Sequence, residues 1–337
     1  MVIFHKLFKC SALELCAVWP RCQSYAFMEG DEIVTLASAS ISTIIIPAAG
    51  RGTRMHPATQ VTAKELLPVY DRLVIEFAID EAIEAGAERI VVVVSDEKPS
   101  IREFLGNTAN RITTHAGGAA ASPQIVYVMQ SKPLGLGHAV LCCKGSILPG
   151  PFGVLLPDDV ILGRSCLPEM ARNYPGDHMI AAIRVPEQET CNYGIFSLGG
   201  SANGQCIPVK GMVEKPPRGQ APSSIAAVGR YILQPMIFDV LAQTAKGAGG
   251  ELQLTDAIEV ATRSVPLTAF QFSGTRYDCG THDGLLAAAN ARQAAVRAGR
   301  IKDQLSIARF PGSADKTSNI DGPVGTGLRG DPARHAV

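Results

Sequence analysis

The sequence predicts an α/β fold built on a doubly wound, mostly parallel sheet. Three observations carry this expectation. Thr43-Ile44-Ile45-Ile46 is a β-branched apolar run that passes directly into Pro47-Ala48-Ala49-Gly50-Arg51-Gly52, the pattern of a parallel strand buried on both faces and closed by a turn. Strand-like and helix-like segments then alternate as far as Asp159, and a β-α-β-α-β series implies parallel strands joined by right-handed crossovers. Finally, 337 residues with 46% apolar content suffice for one large α/β domain, or two smaller ones, with a substantial core.

The elements follow in order. Ile44–Ala48 is the first strand. Val74–Ala85 has helical apolar spacing and stops at Gly86, a natural residue just past a helix end. Ile90–Ser95 is a second buried strand, Ile101–Leu105 a short helix, and Asn107–Ser122 a small, polar loop. Ile125–Val128 is a strand, Gly137–Gly145 a helix, and Phe152–Leu156 a strand that ends at Pro157-Asp158-Asp159. Residues 179–185 and 226–233 read as strands separated by polar turns. A loop at Gly247–Gly250 precedes a helix near Thr255–Ala261, Ala269–Phe272 reads as a strand, and the Ala-rich stretch Asp283–Ala298 as a helix. Residues 1–40 mix Cys, Trp and Phe without any period and form an extension of unknown order, in which Met28 is a candidate start. The tail 301–337 is rich in Gly, Pro, Ser and charge and is expected to be flexible, from about residue 309 disordered.

Composition excludes several roles. Lys+Arg and Asp+Glu both number 31, so the net charge is zero. That argues against a nucleic-acid surface and against a polybasic membrane surface. No run reaches the roughly 18 apolar residues of a membrane helix. The nine cysteines contain no C-x-x-C pair, and Cys10, Cys16 and Cys22 lack zinc-site partners. They read as reduced thiols of a cytoplasmic protein.

The loop after the first strand points to chemistry. Open α/β sheets place ligands at the carboxyl ends of their strands. Gly50 and Gly52 let backbone N–H groups approach an anion, and Thr53 adds a hydroxyl donor. Arg54 and Lys64 add positive charge suited to phosphate. The spacing is neither that of a P-loop nor the G-x-G-x-x-G of a dinucleotide site. The segment predicts a nucleotide-triphosphate site.

From Ile46 to Gly280 the chain resembles the sugar-nucleotide pyrophosphorylases, most closely the bacterial UTP–glucose-1-phosphate uridylyltransferases. The resemblance rests on Pro47-Ala48-Ala49-Gly50-Arg51-Gly52-Thr53-Arg54-Met55, Lys64-Glu65-Leu66-Leu67-Pro68, Gln130, Gly135-Leu136-Gly137-His138-Ala139 and Leu156-Pro157-Asp158-Asp159. It continues through Tyr193-Gly194, Val213-Glu214-Lys215-Pro216, Val228-Gly229-Arg230-Tyr231, Glu251-Leu252-Gln253-Leu254-Thr255-Asp256-Ala257 and Asp278-Cys279-Gly280, in family order. It implies a Rossmann-like nucleotide-diphospho-sugar transferase fold, with a nucleotide-binding part at about 41–165 and a smaller, β-rich sugar-binding part at about 166–285.

The same resemblance implies the reaction of UTP with glucose 1-phosphate to give UDP-glucose and pyrophosphate, with Mg²⁺, in a homodimer or homotetramer. It places Ala48, Ala49, Gly50, Gly52 and Thr53 on the nucleotide, with Arg54 and Lys64 gripping its phosphates. Gln130, whose amide can both donate and accept, would meet the imide edge of uracil, with Gly135 close to the base. Asp158 and Asp278 would hold the metal, few protein ligands being what Mg²⁺ takes. Glu214 would bind sugar hydroxyls and Lys215 the sugar phosphate, with Gly194 and Val228 lining the sugar. Asp159 is expected to face water or cap the next segment, Thr255 or Asp256 to cap a helix, and His138 to have no catalytic role.

His56, Gln60, Thr62-Ala63 and Arg72-Leu73-Val74 depart from the uridylyltransferase pattern. The segments 55–59 and 66–71 look more like the glucose-1-phosphate thymidylyltransferases. A thymidylyltransferase, or a silent sugar-nucleotide-binding paralogue, is therefore the alternative reading.

Overall fold

The computed structural model describes residues 41–106, 122–247 and 250–300. The extension 1–40 with its three cysteines, the body of the 107–122 loop, residues 248–249 of the Gly247–Gly250 loop and the tail 301–337 lie outside the described residues.

Eleven strands are labelled here: β1 Thr43–Pro47, β2 Arg89–Val94, β3 Gln124–Met129, β4 Phe152–Leu155, β5 Asp159–Leu162, β6 His178–Arg184, β7 Gly194–Leu198, β8 Cys206–Glu214, β9 Ile225–Leu233, β10 Leu267–Gln271 and β11 Thr275–Asp278. The helices are α1 Val74–Glu84, α2 at 99–106, α3 Leu136–Cys142, α4 Cys166–Arg172, α5 Ile237–Gln243, α6 Leu254–Ala261 and α7 His282–Arg297. Nine strands form one sheet in the order β3-β2-β1-β4-β9-β6-β10-β8-β7.

Its first four positions are parallel throughout, as the strand–helix alternation predicts. The rest corrects the mostly parallel expectation. β9 runs antiparallel to β4 and β6, and β8 antiparallel to β10 and β7, with β6–β10 the remaining parallel pair. The cause is local. Where polar turns were expected between 185 and 226, two further strands, β7 and β8, follow one another with connections too short for a crossover helix.

The β-branched runs decide the core. Along β1 and β2 alternate side chains point to opposite faces. Ile44, Ile46, Ile90 and Val92 pack with Ile75 and Ile79 of α1 and Leu167 and Met170 of α4. Ile45, Val91 and Val93 pack on the other face with Val140 of α3, Phe238 of α5 and Ile258 of α6. Helix α1 begins where the Leu73 N–H donates to Glu76 Oε2 at 2.8 Å, and it ends before Gly86 at φ 83°, as its sequence predicts.

One core residue makes stability depend on pH. His178 at the start of β6 is fully buried, and its Nδ1 accepts from the Gln234 N–H at 3.2 Å. Burial pushes its pKa down to about 4. A histidine depressed in the fold binds its proton more readily unfolded, so its contribution to folding stability falls as pH drops from about 6.5 towards 4. The expected loss is on the order of 3 kcal/mol. Asp80, whose carboxyl burial pushes up to about 6, acts with the opposite sign over this range, so a pH series of urea melts should show the loss as a difference in slope between the parent chain and His178→Asn. An equal slope in both would remove His178 as its source.

Candidate active site

The loop after β1 is held from both sides. The Ala48 N–H donates to Val93 O at 2.8 Å, so the loop starts in register with β2. Gly52 adopts φ 68°, and a Cβ there would sit 3.3 Å from Thr59 Cγ2 and 3.4 Å from the Lys64 side chain, so glycine is required. Thr59 Oγ1 donates to Gly52 O at 2.7 Å. A 3₁₀ turn at Thr53–Met55 carries Arg54 outward, and another at Lys64–Leu66 brings Lys64 back beneath the loop. Buried Glu65 receives Lys98 Nζ at 2.8 Å, and the same ammonium donates to Ala48 O at 3.3 Å. Lys98 thus ties the loop to the Lys64 segment.

Opposite the loop stand the two predicted metal carboxylates. Asp158 follows β4 and Asp278 ends β11. Lys64 Nζ lies 2.5 Å from Asp158 Oδ2, and the exposed Arg54 guanidinium lies 4.0 Å from Asp158 and 3.7 Å from Asp278. Burial alone would raise the pKa of Asp158, but Lys64 and Arg54 outweigh it and hold the carboxyl below its usual range. Burial likewise opposes the Lys64 charge, and Asp158 with Glu65 overcomes it, keeping the ammonium above its ordinary pKa. Gly280 lies between these groups. A Cβ on it would be 2.7 Å from Arg54 Nη2, 2.9 Å from Asp158 Oδ2 and 3.0 Å from Asp278 Oδ1.

Among the described residues no cluster of three His, Cys, Asp or Glu side chains could hold a metal. The Asp158–Asp278 pair is an all-oxygen donor set, and Mg²⁺ characteristically takes one or two carboxylates and fills its shell with phosphate and water. The donor set fits that ion.

Asp159 corrects the sequence expectation. It neither faces water nor caps a segment: it is buried, and Oδ2 accepts the Gly229 N–H at 2.7 Å while Oδ1 is ion-paired to Arg276, whose Nε lies 2.7 Å away. Arg276 also donates to Tyr193 Oη at 3.2 Å and lies over that ring. The Tyr193 carbonyl in turn receives the Lys215 N–H at 3.0 Å. A connected path therefore leads from the Asp158 side of the site to Lys215.

At that far end Glu214 Oε1 lies 3.4 Å from Lys215 Nζ, and Oε2 accepts from Thr255 Oγ1 at 2.9 Å. Thr255 therefore braces Glu214 and does not cap α6. A Cβ on Gly194 would meet Glu214 Oε2 at 3.2 Å, so this glycine leaves room beside the carboxylate. Val228 is buried with its side chain in the core. Lys215 has φ 44°, a left-handed conformation rare outside glycine and Asn and recurrent at functional sites.

Gln130 closes the other end. With Ala49, Ser95, Glu97 and Pro133 it lines a small cavity beside the glycine loop. Its Nε2 donates to Gly135 O at 3.1 Å and lies 3.0 Å from His138 Nδ1. Gly135, at φ 97°, would drive a Cβ to 2.8 Å from Leu252 O. Segment 134–137 is hydrogen-bonded to Leu252 through Leu252 N to Leu134 O at 2.7 Å and Gly137 N to Leu252 O at 2.8 Å. Residues 251–255 therefore link the Gln130 end to Glu214.

The structure brings Arg54, Lys64, Asp158 and Asp278 into one cluster, to which Lys215 and Glu214 connect through Asp159, Arg276 and Tyr193 and Gln130 through the cavity it shares with Ala49. Sequence reasoning missed Lys98, Tyr193 and Arg276 as organisers. Tyr193 sits in the Tyr193-Gly194 motif, and Arg276 lies two residues before Asp278 on the same strand, the spacing that puts both on one face. Of the departures, His56, Gln60 and Thr62 lie in the largely exposed 56–62 stretch, whereas Arg72 pairs with Asp80 at 2.5 Å and lies 5.1 Å from the Phe77 ring centroid.

Comparison with known proteins gives a consistent picture. The model of the family described as nucleotidyl transferase matches residues 43–294. The chain is 37% identical over 277 residues to a UTP–glucose-1-phosphate uridylyltransferase of Bacillus subtilis, covering 77% of this chain and 93% of that one. It is 39% identical over 252 residues to the enzyme of the same name from Komagataeibacter xylinus, covering 70% and 88%. A crystal structure of a UDP-glucose pyrophosphorylase complexed with UDP-glucose superposes with a TM-score of 0.69 at 35% identity, over 75% of this chain and 99% of that one.

Proposed function

This chain belongs to the nucleotidyl transferase family, and from that membership we propose that it transfers a uridylyl group from UTP to glucose 1-phosphate, giving UDP-glucose and pyrophosphate. Relatives of that name at 37% and 39% identity support the reaction. The observation that carries it is the convergence of Lys64, Arg54, Asp158 and Asp278 beside the glycine loop.

The geometry suits a positioning mechanism. A phosphate oxygen of the sugar phosphate attacks the α-phosphorus. The new P–O bond forms as the bond to the bridging oxygen breaks, and that electron pair leaves on pyrophosphate. The nucleophile is already an anion, so no general base is needed, and the catalytic work is alignment and charge neutralisation. Ala49 to Thr53 offer backbone donors to the phosphates. An ammonium has three donors, so Lys64 can keep Asp158 and still donate to phosphate oxygens. Lys215 meets the sugar phosphate, and Glu214, fixed by Thr255, accepts from sugar hydroxyls. Gln130 reads the base. Asp158 and Asp278 would hold Mg²⁺, which would neutralise charge on the phosphates and the leaving group. A nucleotide part at 41–165, a sugar part at 166–285, a homodimeric or homotetrameric assembly and a cytoplasmic location belong to the same reading. No helix among the described residues is long and apolar enough to cross a membrane.

The test is pyrophosphate release from purified protein with Mg²⁺, glucose 1-phosphate and either UTP or dTTP. Strong UTP preference is expected. Preference for dTTP would replace the uridylyl reading by the thymidylyl one, and UDP-glucose binding without any release would indicate a silent paralogue. Lys215→Ala should raise the KM for glucose 1-phosphate roughly 10- to 100-fold, the worth of one charge-assisted hydrogen bond, and leave the KM for UTP near its parent value. An unchanged KM for the sugar phosphate would exclude that role.

A further inference from the structure

We propose that His138 is a specificity-determining positioning residue: it locks the Gln130 amide with its oxygen towards the base, so that the site accepts an imide N–H and rejects cytosine. The inference rests on the reading above, in which Gln130 meets the base.

A glutamine amide can face a ligand either way round, and its neighbours decide which. Gly135 O only accepts, so the Gln130 atom 3.1 Å from it must be the NH₂ group. The same nitrogen lies 3.0 Å from His138 Nδ1. With that ring nitrogen as the acceptor, both amide hydrogens are used inside the protein. Oε1 accepts no bond from any described residue. Gln130 is buried and lines the cavity beside Ala49, so the unpaired oxygen is the group left for a ligand.

The lock needs a neutral ring with a lone pair on Nδ1. Burial and the nearby Lys246 charge both lower the pKa of His138. Cys142 Sγ, one turn on in α3, lies 3.8 Å from Nδ1 and 3.9 Å from Nε2. Gly135 is built for its part too. At φ 97° and wedged against Leu252 it cannot carry a side chain, and the hydrogen bonds of 134–137 to Leu252 fix where its carbonyl points.

The base consequence follows from donor and acceptor patterns. Uracil and thymine present N3–H, which Oε1 can accept. Cytosine presents a bare N3 acceptor, which would face Oε1 with nothing between them. Turning the amide over to suit cytosine would put Oε1 against Gly135 O and break both bonds of Nε2. Leaving buried polar groups unpaired is what makes such discrimination large.

The test is kcat/KM for UTP, CTP and dTTP in the parent chain and in His138→Ala, His138→Asn and Gln130→Ala. Alanine suits α3, being the best helix former, and asparagine keeps an acceptor near the place of Nδ1. His138→Ala should lower the UTP/CTP ratio roughly tenfold, about one hydrogen bond, through the KM values, with kcat for UTP little changed. The UTP/dTTP ratio should not move, because thymine has the same imide N–H. His138→Asn should restore the parent UTP/CTP ratio. A parent-like ratio in His138→Ala, or a loss of both ratios together, would overturn the lock while Gln130→Ala still raised the KM for UTP. If Gln130→Ala left the KM for UTP unchanged, the base reading itself would fall, and the lock with it.

Discussion

Asp158→Asn is expected to lower pyrophosphate release by at least about 10³-fold while the protein stays folded, since removing one preorganised charge from a transition-state site costs about 10²–10³ and this substitution disturbs two. It removes a carboxylate of the pair proposed to hold Mg²⁺. It also leaves Lys64, buried and 2.5 Å away, with a neutral partner that no longer offsets the burial of its charge. Asparagine preserves shape and can still accept from Lys64, so the loss would be electrostatic and not a matter of packing. Activity should be read beside a melting curve and UTP binding by calorimetry. A folded variant with near-parent turnover would remove Asp158 from the chemistry. Lost turnover together with a collapsed melting temperature would instead assign Asp158 to the fold.

The features that were legible in the sequence share a property: their physics is local. The run Thr43–Ile46 has one stable use, a strand buried on both faces, and the glycines after it have one stable use, a turn that backbone donors can line. That was enough to locate the loop, and ordered motifs then supplied Lys64, Asp158 and Lys215. The hairpin region was less legible. β7 and β8 carry Gly194, Pro208 and Gly211, which weaken a strand pattern, and their partners are settled only when the sheet assembles. Asp159 departs from its sequence expectation for a related reason. An Asp after a strand is commonly a cap, but its cation here is Arg276, which lies 117 residues further on. No local rule pairs them. Thr255 likewise has the look of a helix cap until Glu214 is brought to 2.9 Å from it.

Arg230→Met is expected to give the largest loss of stability. The Arg230 side chain is among the largest fully buried ones. Its Nε and Nη2 reach Glu81 at 3.1 and 2.8 Å, and Nη1 donates to Leu156 O at 3.0 Å and Gly229 O at 3.2 Å. Glu81 holds the Leu167 N–H at 2.8 Å with its other duty, so α1, α4 and the β4–β9 junction meet at this pair. Breaking a buried ion pair from one side costs about 3–5 kcal/mol, because the remaining charge is stranded, and that corresponds to a melting temperature lower by roughly 10 °C. The double variant Arg230→Met/Glu81→Gln removes the stranded charge yet keeps an acceptor for Leu167. It should therefore be more stable than Arg230→Met alone. If the double variant were no better, the loss would come from the packing of the side chain and its bonds to the Leu156 and Gly229 carbonyls, which still accept from Asp159 N–H and Leu156 N–H, and not from the charge. If Arg230→Met itself lay within about 1 kcal/mol of the parent, the pair would contribute little to the fold. The same bonds hold the backbone two residues before Asp158, so turnover should fall in Arg230→Met beyond what its folded fraction accounts for. Glu81, which is not among the proposed ligand-binding residues, would thereby act on the site through the arginine it holds.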